Sequence, residues 1–281
     1  MPEQFYPFLL GAAFMAYLQA SITYQLLLAL RRPRYGRWGT IGLAAGIAVH
    51  TAALLIAWLE SGRPVFGVGA NTLAYYAWLT VAIYLALEFV LREKALGAIV
   101  APFACLSLLG AILLPRQVSE TLRPFAGNSW LAAHVGVSFA SYAAFTVAAG
   151  SALLYLAQER QLKSRRWRAF VVNLPPLGTL EVLTYRLIEI GFVLLSATIL
   201  VGGLVAQQAW DSYWSWEPKQ TATLATWLVY LGYFLLRNVT RLSGGQTARC
   251  AVAGFAAILV SYLAVNLLLP GQHTFGLVER P

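Results

Sequence analysis

Long apolar runs, each about 18–25 residues and so long enough to cross a bilayer as a helix, recur along the whole chain between short polar connections. The pattern predicts an all-α polytopic membrane helix bundle of about eight transmembrane helices, at roughly 6–30, 40–59, 72–91, 95–114, 131–157, 186–208, 222–236 and 250–269. The connections differ in charge. Those after the first, third, fifth and seventh runs hold Arg31, Arg32, Arg34 and Arg37; Arg92 and Lys94; Arg160, Lys163, Arg165, Arg166 and Arg168; and Arg237, Arg241 and Arg249. The other side has only Arg63, Arg116, Arg123, Lys219 and Arg280. Basic loops stay in the cytoplasm, so both termini are expected on the outer face. The first run is longer than a signal-peptide core, with no basic stretch before it and no small-residue cleavage site after it, and reads as a retained span. The longest cytoplasmic connection, Gln158 to Tyr185, reads as a basic helix extension, a Pro–Pro break and a short amphipathic piece lying on the membrane, its arginines meeting anionic lipid headgroups.

Composition narrows the class further. Of 281 residues 59% are hydrophobic and 11% charged, which excludes an ordinary soluble globule, where charged residues make up about 25%. The net charge of +9 follows from the basic cytoplasmic loops and calls for no nucleic acid. Cys105 and Cys250 fall in or at the edge of spans and suggest neither a disulfide framework nor a cysteine metal site.

The candidate chemistry lies in WDSYWSWEPKQ, from Trp210 to Gln220. Trp210, Tyr213, Trp214 and Trp216 form an aromatic shelf beside Asp211, Glu217, Pro218 and Lys219. An interfacial belt would account for the aromatics alone, but it needs neither the acidic–Pro–Lys turn nor the W-x-W spacing. The expected topology puts this loop on the outer face together with His134 and His273, two of only three histidines. Two imidazoles and a tryptophan shelf suit a large flat ligand with a metal centre, haem above all, whose iron takes axial histidines and whose ring buries against aromatic faces. Each ligating imidazole needs a partner on its second nitrogen; Glu120, Asn128, Ser129 and Asn266 are candidates, and Lys219, Arg123 and Arg116 could meet the propionates. His50 lies near mid-membrane, either as a further ligand or as a packing histidine bonded to a carbonyl or hydroxyl. Glu88 and Glu189 lie near the cytoplasmic ends of their spans, facing the bundle interior or reaching the headgroups. Gly202–Gly203, with Ala197 and Ala206, suggests close helix packing.

These residues resemble the WWD-domain haem-handling family that includes CcsA, CcmC and CcmF, with a pattern near W-G-x-x-W-x-W-D-P-K-E, a W-L-x-Y span and a closing N-x-x-x-P-G-x-H-S-Y. The chain offers Trp210, Trp214, Trp216, Pro218 and Lys219, then Trp227, Leu228 and Tyr230, then Asn266, Pro270, Gly271, His273 and Thr274. HVGVSFASYAAF, which starts at His134, and SGRPVFGVGANTLAYYAW are similar to segments of the CcsA branch. The resemblance implies one integral-membrane CcsA-like domain over 1–281, with the WWD-type segment within 205–276. It implies transient, non-covalent haem b held by Trp210, Trp214, Trp216, Glu217, Pro218, Lys219 and Trp227, with His134 and His273 on the metal and no catalytic side chain. It further implies delivery to apocytochrome c beside a CcsB (ResB)-like partner, in a bacterial cytoplasmic (inner) membrane with the loop on the periplasmic face. The chain would then be the CcsA-like half of a cytochrome c synthase. Asp211, Glu217 and Gln220 depart from the family's glycine, aspartate and glutamate. Leu235 and Arg63 stand where the CcsA branch has a membrane histidine and a loop histidine. A HemX-like accessory or regulatory protein of haem metabolism without synthase activity, and a transporter of another hydrophobic solute, stay open as alternatives.

Overall fold

The computed structural model describes residues 5–61, 71–114, 128–164, 174–240, 242 and 244–268. They form eight helices and no strand: α1 Phe5–Leu30, α2 Pro33–Ser61, α3 Asn71–Leu91, α4 Gly97–Leu113, α5 Ser129–Lys163, α6 Leu177–Trp210, α7 Pro218–Thr240 and α8 Gly244–Leu268. The first, second, third, fifth and sixth of these are long and apolar enough to cross a membrane, whereas α4 and the Gly244–Val260 stretch of α8 are shorter apolar helices. The chain is an integral membrane protein built as a helical bundle. α5 is its hub, packing against α3, α4, α6 and α8.

Local chemistry sets the helix ends. Arg31 and Arg92 both take φ 56°, the left-handed turn that closes a helix, and Pro33 then opens α2, at the position where its missing N–H costs nothing. α2 therefore starts seven residues before the run predicted from 40. Asn128 caps α5, its side chain accepting from the Trp130 N–H at 2.8 Å. The piece after Pro175–Pro176 departs from expectation. Instead of lying on the membrane, 177–185 forms the first turns of α6, with Leu180 fully buried and its carbonyl accepting from Ser151 Oγ of α5 at 3.0 Å. Burial of Leu180, Leu183 and Thr184 against the hub holds this amphipathic stretch in the bundle.

Pro102 sits inside α4 and has no N–H for the carbonyl of Ala98 one turn back. Gln25 of α1 donates to that carbonyl at 2.5 Å, closing the gap from outside the helix. At the shared end of α1–α4, Glu88 is buried and accepts from Tyr24 (2.6 Å), Tyr84 (2.7 Å), Thr40 (2.5 Å) and Lys94 (2.9 Å). A Cβ on Gly39 or Gly97 would stand 2.8 Å from the Tyr24 ring, so those two glycines make room for the cage. Glu189, by contrast, lies on the surface and pairs with Arg186 one turn away at 2.8 Å. In the second half, Phe145 of α5 stacks on Tyr230 of α7, with centroids 3.9 Å apart and planes 4° apart. Gly191 and Gly254 border this pair; a Cβ there would meet ring atoms at 2.7 and 3.2 Å respectively.

Candidate functional site

The loop between α6 and α7 is held by its own polar groups. α6 ends at Trp210, and Asp211 takes the left-handed conformation (φ 52°, ψ 31°) with its N–H on the Gln207 carbonyl at 3.1 Å. That conformation suits glycine, which explains the glycine of the WWD pattern; aspartate is among the few other residues that tolerate it. Its carboxylate also accepts from Gln207 Nε2 at 2.9 Å. Trp216 is left-handed as well, at φ 55°. Gln220, in the first turn of α7, reaches back to accept from the Ser215 N–H at 2.9 Å and the Ser215 hydroxyl at 3.3 Å. Glutamine supplies there the same acceptor oxygen that a glutamate would. The Glu217 carbonyl starts the ladder of α7, accepting from the Thr221 N–H at 2.9 Å.

The aromatic rings divide into exposed and inward-facing groups. Trp214 and Trp216 meet edge to face, with centroids 5.7 Å apart at 85°. Trp216 and Tyr213 are exposed large aromatics. The indole N–H of Trp214 is buried and finds no acceptor among the described residues, although a buried indole usually has one. Trp210, Glu217, Pro218 and Lys219 are half-buried. Lys219 precedes the apolar part of α7, and burial pushes its ammonium down to about 8 while Glu217 pulls it back up. Trp227 lies nine residues into α7, away from the loop by about 1.5 Å of rise per residue. It stacks on Phe192 of α6 (5.2 Å, 26°) and donates to Ser196 Oγ at 2.9 Å, tying α7 to α6.

His134 joins this end of the molecule through α6. Asn128, just ahead of α5, donates to Gln208 near the end of α6 at 3.0 Å. Six residues on, the Nδ1 of His134 lies 3.1 Å from the backbone carbonyl of Thr198. A carbonyl only accepts, so Nδ1 carries the hydrogen and the lone pair is on Nε2. For His134 the acceptor at Nδ1 is a backbone carbonyl; of the side chains expected as partners, Asn128 is engaged by Trp130 and Gln208 and Ser129 opens α5. The histidine and the loop meet the two adjacent glycines. A Cβ on Gly202 would stand 2.7 Å from His134 Cε1, and one on Gly203 would stand 3.6 Å from the Tyr213 carbonyl. The pair expected to serve close helix packing does so at Gly202, where α6 takes in the imidazole of α5, while Gly203 meets the loop backbone. The double glycine was the signal available in the sequence; the Thr198 carbonyl, like any backbone group, left none.

His273, Pro270, Gly271, Glu120, Arg63, Arg116 and Arg123 lie outside the described residues, as does the side chain of Asn266. His50 is fully buried between α1 and α2, with Tyr17 Oη 3.2 Å from its Nδ1, while its Nε2 meets no partner among the described residues. No cluster of three or more His, Cys, Asp or Glu forms among the described residues. Leu235, which the resemblance sets where the CcsA branch has a membrane histidine, is exposed on α7.

Comparison with known proteins bears on this arrangement. Residues 69–273 match the family model described as cytochrome C assembly protein. The chain is 32% identical over 265 residues to the cytochrome c biogenesis protein CcsA of Prochlorococcus marinus (strain MIT 9313), covering 84% of this chain and 83% of that one. To the CcsA of Chlorella vulgaris it is 29% identical over 304 residues, covering 97% of this chain and 96% of the relative. The solved structure of the cytochrome c haem lyase CcmF superposes on 94% of this chain with a TM-score of 0.67 at 14% identity, and the match spans 47% of that larger protein. That likeness is one of fold. With the family model covering most of its length, the chain belongs to the cytochrome c assembly protein family.

Proposed function

We propose that this protein acts in cytochrome c assembly by holding haem b transiently at the Trp210–Gln220 loop, with His134 and His273 as axial ligands, for delivery to apocytochrome c. The observation that carries the proposal is the convergence of His134 and the tryptophan loop on Gly202 and Gly203. The residues present fit the group. The tautomer set by Thr198 leaves His134 Nε2 with the lone pair that ligation uses, and the buried indole N–H of Trp214 is a donor in need of an acceptor. Trp216 offers an exposed ring face, and Lys219 a cation that a propionate would keep charged.

Haem, when bound, supplies the vinyl groups to which cysteine thiols add as thioethers are made. The chain's own contribution is orientation of cofactor and acceptor, with no side chain acting as nucleophile or base. In this reading the loop faces the periplasm across a bacterial inner membrane, and a CcsB-like membrane protein supplies the external domain. The names of the relatives and the family match support the setting, and the charge pattern of the loops supports the orientation.

The test is the absorption spectrum of the protein purified in detergent after expression with ample haem. A reduced bis-imidazole haem spectrum is expected from the wild type, with loss of at least tenfold of the bound haem in His134→Ala and in His273→Ala. Haem that stays bound in both variants, or a wild type that takes up none, would remove the proposal. A second reading rests on Leu235. With an exposed leucine in place of the membrane histidine, the chain would hold haem externally as a HemX-like accessory protein without attaching it. Co-expression with a CcsB-like protein and apocytochrome c separates the two: holocytochrome forms only under the first reading.

A further inference from the structure

We propose that Gly202 is a positioning residue for His134: by lacking a Cβ it lets the imidazole seat against one turn of α6, which fixes its tautomer and leaves the acceptor lone pair on Nε2. A glycine inside a helix is unfavourable by itself, so its presence at 202 calls for a local reason. The space a Cβ would occupy lies 2.7 Å from Cε1, 3.0 Å from Nδ1 and 3.7 Å from Nε2 of His134, against the body of a rigid ring. The same ring is held by Thr198, four residues earlier and on the same helix face, through the 3.1 Å contact of Nδ1 with its carbonyl. Any side chain at 202 drives the ring off that carbonyl. Substituting Thr198 cannot do this, because the acceptor is backbone. Gly178, on the same helix, supplies the contrast: a Cβ added there would meet nothing within 4 Å. Partners that orient a ligating histidine typically account for about 10–100-fold in metal affinity, and here the partner's access is controlled by the absent methyl.

The ligand part of this inference rests on the haem reading; the seating of the ring does not. Two measurements on the full-length protein keep them apart. In the haem-free protein labelled with 15N-histidine, the His134 signal, assigned by its loss in His134→Ala, is expected to report hydrogen on Nδ1 in the wild type and in Gly178→Ala, and to lose that signature in Gly202→Ala. In thermal unfolding, Gly202→Ala is expected to lower the midpoint in the wild-type background but not in His134→Ala, where the ring is gone. This holds even if Gly202→Ala alone fails to fold, since the double variant should then recover. In the haem-loaded protein, Gly202→Ala is expected to weaken haem binding at least tenfold, with added imidazole restoring the low-spin spectrum, while Gly178→Ala matches the wild type. An unchanged tautomer in Gly202→Ala, or equal destabilisation with and without His134, overturns the proposal. A tautomer shift in a protein that takes up no haem upholds the seating and ends the haem reading instead.

Discussion

Glu88 and Glu189, two carboxylates placed alike in the apolar pattern, meet opposite fates in the fold. Glu189 turns outward to Arg186. Glu88 is enclosed, and each of its oxygens accepts from two donors. Breaking a buried pair from one side leaves an uncompensated charge, whereas removing both sides is far milder. Lys94→Met is therefore expected to destabilise the detergent-solubilised protein by about 3 kcal/mol, the low end for a broken buried pair, because Lys94 is itself one-third exposed. Glu88→Gln combined with Lys94→Met should recover most of that loss in chemical denaturation; a double variant as unstable as the single one would show that the cage works by packing alone. At this scale the sequence was informative about residue types and silent about partners. Asp211 and Gln220 depart from the WWD pattern, yet Asp211 takes the left-handed turn and Gln220 supplies the acceptor for Ser215. Both roles depend on backbone geometry, which residue identity alone does not reveal.

Elements were easier to read than their ends. All eight apolar runs correspond to helices, and α3 and α4 fall within two residues of the expected bounds at each end. The larger discrepancies arise where a helix continues beyond its apolar stretch. α6 begins at Leu177, nine residues before the predicted 186, because Gly178, Thr179 and Glu181 lower the hydropathy while Leu180 and Leu183 still bury one face. α7 is similar, opening with Pro218, Lys219 and Gln220 ahead of its apolar part. Between helices, small residues do the fitting. A methyl group at Gly191 would lie 2.7–3.0 Å from three atoms of the Phe145 ring, and that ring is already stacked on Tyr230. Gly191→Ala is expected to cost about 1–3 kcal/mol, the usual range for overpacking. Phe145→Leu in the same chain should relieve part of it in a double-mutant cycle, and strict additivity of the two changes would mean that the ring is not the obstacle.

The eight helices form one bundle around α5, whose first third and middle face different neighbours: Gly136 lies near Tyr75 at the start of α3, and Gly150 near Ile99 and Val100 at the start of α4. The tryptophan loop and the Glu88 cage thus occupy opposite ends. Alternating basic connections made that separation, and the shared face of His134 and the loop, legible in the sequence; the contact between them was legible only in the double glycine, since the rest of it runs through a backbone carbonyl. With Cys105 and Cys250 replaced by alanine, Tyr213→Cys is expected to react with a membrane-impermeant maleimide in intact spheroplasts, and Lys163→Cys only after the membrane is opened. The reverse pattern would invert the bundle and overturn the periplasmic placement proposed for the loop. The repair of α4 by Gln25 has a consequence for how such a bundle can be made. A carbonyl without a donor is costly in lipid, and the group that serves Ala98 comes from a side chain 73 positions earlier in the chain. Synthesis from the N-terminus delivers α1 first, so the donor is in the membrane before the proline arrives. A circular permutant that places α1 last would have to insert α4 with that carbonyl bare, and the order of the segments is thereby part of what the fold requires.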